Sequence, residues 1–223
     1  MGERIKVRAS DGFELSAYLA RPTAKPRGGL VVVQEIFGVN GHISRVADGF
    51  AADGFLAIAP ALFDRIRPGL TLGYSQDDIQ EGIALKGKSS TENALADIAA
   101  ARDAVAEAGK VGVIGYCWGG FLSWVSATRL SGFGAAVVYY GGGIGAVAQE
   151  TPKCPVLAHF GETDHAIPLA DVDKLRAAHP SGVEVHVYPA GHGFNCDERG
   201  SYDAKSAKIA RERTVAFLKA HLG

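Results

Sequence analysis

Apolar residues in this chain fall in short, continuous, mostly β-branched runs. They are Leu30-Val31-Val32-Val33 and residues 55–59, 111–115, 135–139, 156–160 and 183–188. Runs of this length, bounded by turn residues, predict strands covered on both faces, as in a parallel sheet. Between them the period changes. Leu95, Ile98, Ala101 and Val105 recur at helical spacing across 93–108, and Ile209, Val215, Phe217 and Leu218 do so across 202–222, which predicts two amphipathic helices. Strands alternating with helices imply right-handed crossovers and a mostly parallel sheet, with ligand chemistry at the carboxyl ends of its strands. Residues 6–19 alternate loosely about Asp11-Gly12, a dipeptide suited to a tight turn, and predict a hairpin at the sheet edge.

Length and composition narrow this to one α/β domain spanning residues 1–223. The chain is 47% hydrophobic and 21% charged, ordinary for a soluble globular protein, and has no internal repeat or linker to split it. A net charge of −1 with dispersed Lys and Arg leaves no basic stripe for nucleic acid, so a small molecule is the expected partner. No run approaches the roughly eighteen apolar residues of a membrane span, and the first residues lack an apolar leader. The expectation is a cytoplasmic monomer or small homo-oligomer. Cys117, Cys154 and Cys196 form neither a disulfide framework nor a C-x-x-C metal pair. No dinucleotide fingerprint or P-loop occurs, so neither cofactor nor metal is expected.

The most informative segment is Gly115-Tyr116-Cys117-Trp118-Gly119-Gly120, directly after the apolar run 111–115 and before a helical pattern starting near Phe121. This is G-x-C-x-G between strand and helix. A nucleophile on a sharp, strained turn needs glycine two residues to either side, where side chains would collide. The following helix N-terminus lowers the thiol pKa and can bind an oxyanion. The fold that uses such an elbow places an acid and then a histidine later in the chain. Run 156–160 leads into Gly161-Glu162-Thr163-Asp164-His165, and run 183–188 into Gly191-His192-Gly193-Phe194. Glu162 and Asp164 are both candidate acids. Of the seven histidines, His192 between two glycines is the better-placed base, because His165 adjoins Asp164 too closely to bridge it to a nucleophile.

Taken with Gln34-Glu35-Ile36-Phe37-Gly38 upstream, these segments resemble the dienelactone hydrolase (carboxymethylenebutenolidase) family over nearly the whole chain. The resemblance implies an eight-stranded, mainly parallel α/β-hydrolase sheet with helices on both faces, a Cys117-His192-Asp164 triad, and opening of lactone or ester bonds. It also implies that Glu35 holds the resting thiol protonated and helps form the thiolate when substrate arrives. The oxyanion hole would be the backbone N–H groups of Trp118 and Ile36. Phe37, Tyr139 and Phe194 are candidate pocket residues, although core packing accounts equally well for Tyr139 and for the Trp118 ring.

The chain departs from the pattern at the arginines that bind a substrate carboxylate. Residues 73–81 hold none, and Cys196 stands where one can occur. Arg65, Arg67 and Arg199 are the remaining candidates, each read more simply as a solvated surface charge. Dienelactone is therefore one substrate class and a broader range of carboxylic esters another. The alternatives are a slow-turnover binding protein on the same fold, or a redox sensor using the Cys117 thiolate, with Cys196 as its only plausible partner.

Overall fold

The computed structural model describes residues 2–223. Its strands are β1 (Glu3–Arg8), β2 (Glu14–Ala20), β3 (Gly29–Val33), β4 (Leu56–Pro60), β5 (Val111–Tyr116), β6 (Phe133–Tyr139), β7 (Val156–Gly161) and β8 (Val183–Tyr188). They form one sheet in the order β1-β2-β4-β3-β5-β6-β7-β8. All neighbours from β4 to β8 pair in parallel, whereas β1 and β2 form the expected antiparallel edge hairpin, with β2 antiparallel to β4. Every residue of β3, β4 and β5 is buried. These strands read as unbroken apolar runs because helices cover both faces and leave no polar side to mark an alternation.

Six helices complete the fold: α1 (Gly41–Ala52), α2 (Gln76–Lys88), α3 (Thr91–Ala104), α4 (Trp118–Arg129), α5 (Leu169–Ala178) and α6 (Ala204–Leu222). Helices α1 and α6 pack together on one face, where Arg211 of α6 ion-pairs with Asp53 at the end of α1 and lies 4.0 Å over the Phe50 ring. On the other face α3 lies beside α4, and Trp124 of α4 packs at a tilt against His179 at the end of α5. Periodicity pointed to only α3 and α6. Helix α1 places His42 in its first turn rather than in a loop, capped by the Asn40 side chain accepting from the Ile43 N–H. The largely exposed α2 begins with a capping box in which Ser75 and Asp78 bond reciprocally, so its start is fixed by local hydrogen bonds rather than an apolar stripe.

The edge hairpin is held down by Arg65, which is no solvated charge. Its guanidinium donates to both oxygens of Asp97 on α3 at 2.8 Å and to Asp11 at the hairpin turn at 2.7 Å, and it lies 4.5 Å over the Phe13 ring. The Asp97 side chain is fully buried and that of Arg65 only 14% exposed. Burial raises the Asp97 carboxyl above its usual range while Arg65 opposes it. Arg67, by contrast, is half-exposed and pairs with Glu81. Arg65→Ala would strand a buried carboxylate, so urea unfolding should show a loss of about 3–5 kcal/mol, the usual cost of breaking such a pair from one side. Arg67→Ala should change stability by less than about 1 kcal/mol.

Candidate active site

The loops at the carboxyl ends of β3, β5, β7 and β8 bring the singled-out residues together. Cys117 stands at φ 56° and ψ −116°, one of two non-glycine residues with positive φ among those described. A side chain in this region stores strain, which the surroundings must over-determine. They do so by close backbone approach: a Cβ on Gly115 would run into the Gly119 carbonyl, one on Gly119 into the Val33 and Gln34 carbonyls, and one on Gly120 into the Tyr139 carbonyl. The turn is pinned by the Cys117 N–H donating to the Tyr139 carbonyl at 3.0 Å. Helix α4 starts at Trp118, three residues before the sequence pattern placed it, which makes the Trp118 N–H a first-turn donor without an intrahelical acceptor. The Ile36 N–H likewise finds no acceptor among the described residues.

The candidate acid and base lie on the loops after β7 and β8, in the order expected along the chain. Asp164, buried after β7, accepts from the Ala166 N–H at 2.8 Å through Oδ1 and faces Nδ1 of His192 at 2.8 Å through Oδ2. Burial pushes the imidazolium down, but Asp164 and the neighbouring Cys117 side chain outweigh it and raise His192 to about 10. The rivals His165 and Glu162 are both exposed.

Glu35 is 1% exposed. Its strand-end loop is held by Gln34, whose side chain accepts from the Leu62 N–H at 3.0 Å and donates to the Glu35 carbonyl at 3.2 Å. Arg199 donates to Glu35 Oε1 at 3.1 Å, leaving Oε2 buried and unpartnered. Arg199 thus corrects the expectation of a solvated charge: its side chain is 19% exposed, lies 5.8 Å over the Phe37 ring and is close enough to Cys117 to feel its charge. Gly193, at φ 78°, lets the chain pass over that guanidinium, where a Cβ would collide.

The aromatic residues are distributed differently from the expected pocket. Phe37, Tyr139 and Phe194 are each no more than 1% exposed. Tyr139 points away from the elbow and bonds its hydroxyl to Thr214 of α6 at 2.8 Å, which makes it core. Phe194 packs among Tyr139, Tyr140 and Tyr188, and the Trp118 ring stacks on Phe63 at 5.3 Å. The residue missed by sequence reasoning is Tyr140, one position beyond β6. Its φ of 37° turns it toward the site, 5.2 Å edge-on to His192, with a buried hydroxyl that has no partner. Burial and the nearby Glu35 hold that phenol well above its ordinary pKa. Cys154 is half-buried just ahead of β7, and burial raises its thiol to about 11.

A second grouping also escaped the sequence. Glu35, His42 and Cys196 are all buried, with their ligand-type atoms within 4.8 Å of one another.

Comparison with known proteins agrees with this architecture. Residues 15–222 match the model of the dienelactone hydrolase family. A protein of Azospirillum brasilense described as "Putative carboxymethylenebutenolidase" is 36% identical, the match covering 98% of this chain and 99% of the relative. One of Synechocystis sp. with the same description is 34% identical over 96% of this chain and 94% of its own. Among solved structures, a "Putative Dienelactone Hydrolase" from Klebsiella pneumoniae superposes with a TM-score of 0.83 at 32% identity, covering 97% of this chain and 98% of that one. No helix among the described residues is long and apolar enough to cross a membrane. The chain belongs to the dienelactone hydrolase family and is a carboxylic ester hydrolase of the α/β-hydrolase fold.

Proposed function

We propose that this protein opens lactones or activated esters that carry a carboxylate, using Cys117 as nucleophile, His192 as base and Asp164 as the acid that orients it. The observation that carries the reading is the strained Cys117 beside an imidazole whose far nitrogen is held 2.8 Å from a buried carboxylate. In the reaction, Sγ of Cys117 attacks the ester carbonyl, and the oxyanion is received by the free N–H groups of Trp118 and Ile36. His192 gives a proton to the leaving oxygen as the tetrahedral intermediate collapses to a thioester. It then takes a proton from water, which attacks the thioester and releases the acid and the Cys117 thiolate, to which Glu35 returns the proton it accepted.

Arg199 supports a substrate anion. It presents a planar, mostly buried guanidinium beside the nucleophile, with one Nη on Glu35. A substrate carboxylate that draws the guanidinium away leaves the Glu35 carboxylate less compensated and more basic. Glu35 then becomes the acceptor for the Cys117 proton when substrate has arrived.

Cys117→Ala should abolish steady-state ester turnover while keeping the wild-type circular dichroism spectrum, because covalent catalysis loses its only nucleophile and little core volume. Turnover at the wild-type rate would refute the assignment. In the same assay His165→Ala should stay within a few-fold of wild type, as its exposed ring has no part in the relay.

Asp164→Asn removes the largest influence raising His192, so burial should then dominate. Followed by NMR of the imidazole, the midpoint should fall from about 10 to below the ordinary histidine value of about 6.5, while kcat drops by about 10⁴-fold. An unmoved midpoint would mean that Asp164 does not set the state of His192.

Arg199→Lys keeps the charge beside Glu35 but loses the fork that grips a carboxylate. For esters bearing a carboxylate, kcat/KM should fall about 10- to 100-fold, the equivalent of one lost charge-assisted hydrogen bond, and neutral aryl esters should be hydrolysed nearly as before. Equal losses on both classes would argue for a broad carboxylesterase without anion recognition.

A further inference from the structure

The Glu35, His42 and Cys196 group has a chemistry that ester hydrolysis does not use. His42 lies in the first turn of α1, with a side chain only 5% exposed, and its Nδ1 faces Asp197 Oδ1 at 3.1 Å. A carboxylate can only accept, so Nδ1 of the neutral ring carries the proton and Nε2 is left as a bare lone pair. That Nε2 is buried and has no partner. Glu35 stands in the same condition. Arg199 takes Oε1, while Oε2 is buried and unpartnered. Cys196, fully buried, adds a thiol to the space.

Two buried polar atoms without partners are costly to leave unsatisfied, and the single thiol proton can satisfy at most one. A cation satisfies both. We propose that Glu35 Oε2, His42 Nε2 and Cys196 Sγ form a binding site for a borderline-soft divalent cation of the zinc class, and that occupancy inhibits the enzyme. One thiolate, one imidazole and one carboxylate are the donor set such an ion prefers over calcium or magnesium, with solvent filling a fourth position. The His42–Asp197 contact is the carboxylate–histidine arrangement that commonly orients a metal-binding imidazole. Metal–ligand distances of about 2.0–2.3 Å put the donors of a tetrahedral site about 3.3–3.6 Å apart. Ligand-type atoms of the three residues already lie within 4.8 Å of one another, so small side-chain rotations suffice to close them on one ion.

On binding, the Cys196 thiol loses its proton to solvent. Glu35 and the new thiolate then balance the two positive charges, and Arg199 and Asp197 offset each other. An open cleft of about 330 Å³ lined by His42, Arg45, Tyr116, Asp197 and Arg211 reaches the imidazole from the solvent side and supplies an entry path. Cys196 lies 161 residues of sequence from Glu35 (196 − 35) and His42 is helical rather than paired at a ligand spacing, so no sequence pattern marks the site. Metal binding is independent of the ester-opening mechanism. Inhibition rests on it, because the ion takes the one free oxygen of Glu35.

Cobalt(II) serves as the probe, since thiolate ligation gives it an intense near-ultraviolet charge-transfer band. The titration is done on chelator-stripped protein carrying Cys117→Ala, so that the nucleophile cannot supply the thiolate. One equivalent of cobalt should bind with that band, zinc should displace it, and adding Cys196→Ser or His42→Gln should remove it. In a Cys117 background, Cys196→Ser should hydrolyse a neutral aryl ester at the wild-type rate while needing at least about tenfold more zinc for half-inhibition. Absence of the band in the Cys117→Ala protein overturns the site, because the metal then sits on the nucleophile or nowhere. Its persistence after Cys196→Ser also overturns it. Cobalt bound as described but without effect on turnover retains the site and overturns the inhibition, and a protein with no esterase activity at all contradicts the mechanism while leaving the binding result to stand.

Discussion

Everything at the carboxyl edge of the sheet depends on the close approach of backbone to backbone around Cys117. The strained φ of 56° survives because three glycines admit carbonyl oxygens into volumes that a methyl group would fill. That packing fixes Cys117 at the turn from β5 into α4, directly before the first N–H of the helix. It also fixes where the ends of β3 and β6 must run, since the carbonyls pressing on Gly119 and Gly120 belong to Val33, Gln34 and Tyr139. The elbow therefore positions Glu35 and Tyr140 as firmly as it positions Cys117. Strain of this kind is tolerated only where the surroundings over-determine it, and here an all-buried core of β3, β4 and β5 does so.

Electrostatics at the site are a balance between groups of opposite demand. Asp164 holds His192 toward its protonated form. Near Cys117 the positive guanidinium of Arg199 is paired with the carboxylate of Glu35. Because Arg199 partly neutralises Glu35 through one oxygen only, anything that competes for the guanidinium or occupies the other oxygen shifts the balance. In the proposed mechanism a substrate carboxylate does the first, and in the proposed cation site a divalent ion does the second.

Much of this was legible in the sequence, and what escaped has identifiable physical causes. Buried strands announce themselves as unbroken apolar runs, and the glycines of the elbow mark collisions that only glycine avoids. The order Cys117, Asp164, His192 could be read because each lies just beyond such a run. Helix α2 could not be read from periodicity, because it is mostly exposed and held at its start by Ser75 and Asp78. Tyr139 and Tyr140 are adjacent, and a strand sends successive side chains to opposite faces. Which of them meets His192 depends on where β6 ends, and strand ends are the least readable feature of a sequence. Arg199 joins Glu35 across a separation of 164 residues, and surface composition rules favour the bland reading of any single arginine. Only the folded loop, passing over the guanidinium at Gly193, makes the ion pair visible.

The account stands or falls on a covalent bond to one sulfur. Rapid quenching of the His192→Ala protein during reaction with an activated ester, followed by intact mass measurement and peptide mapping, tests this directly, because loss of the base slows release of the acyl group. The account predicts a single acyl adduct carried by the peptide containing Cys117. Hydrolysis continuing with no adduct, or an adduct on Cys154 or Cys196 in its place, would contradict it.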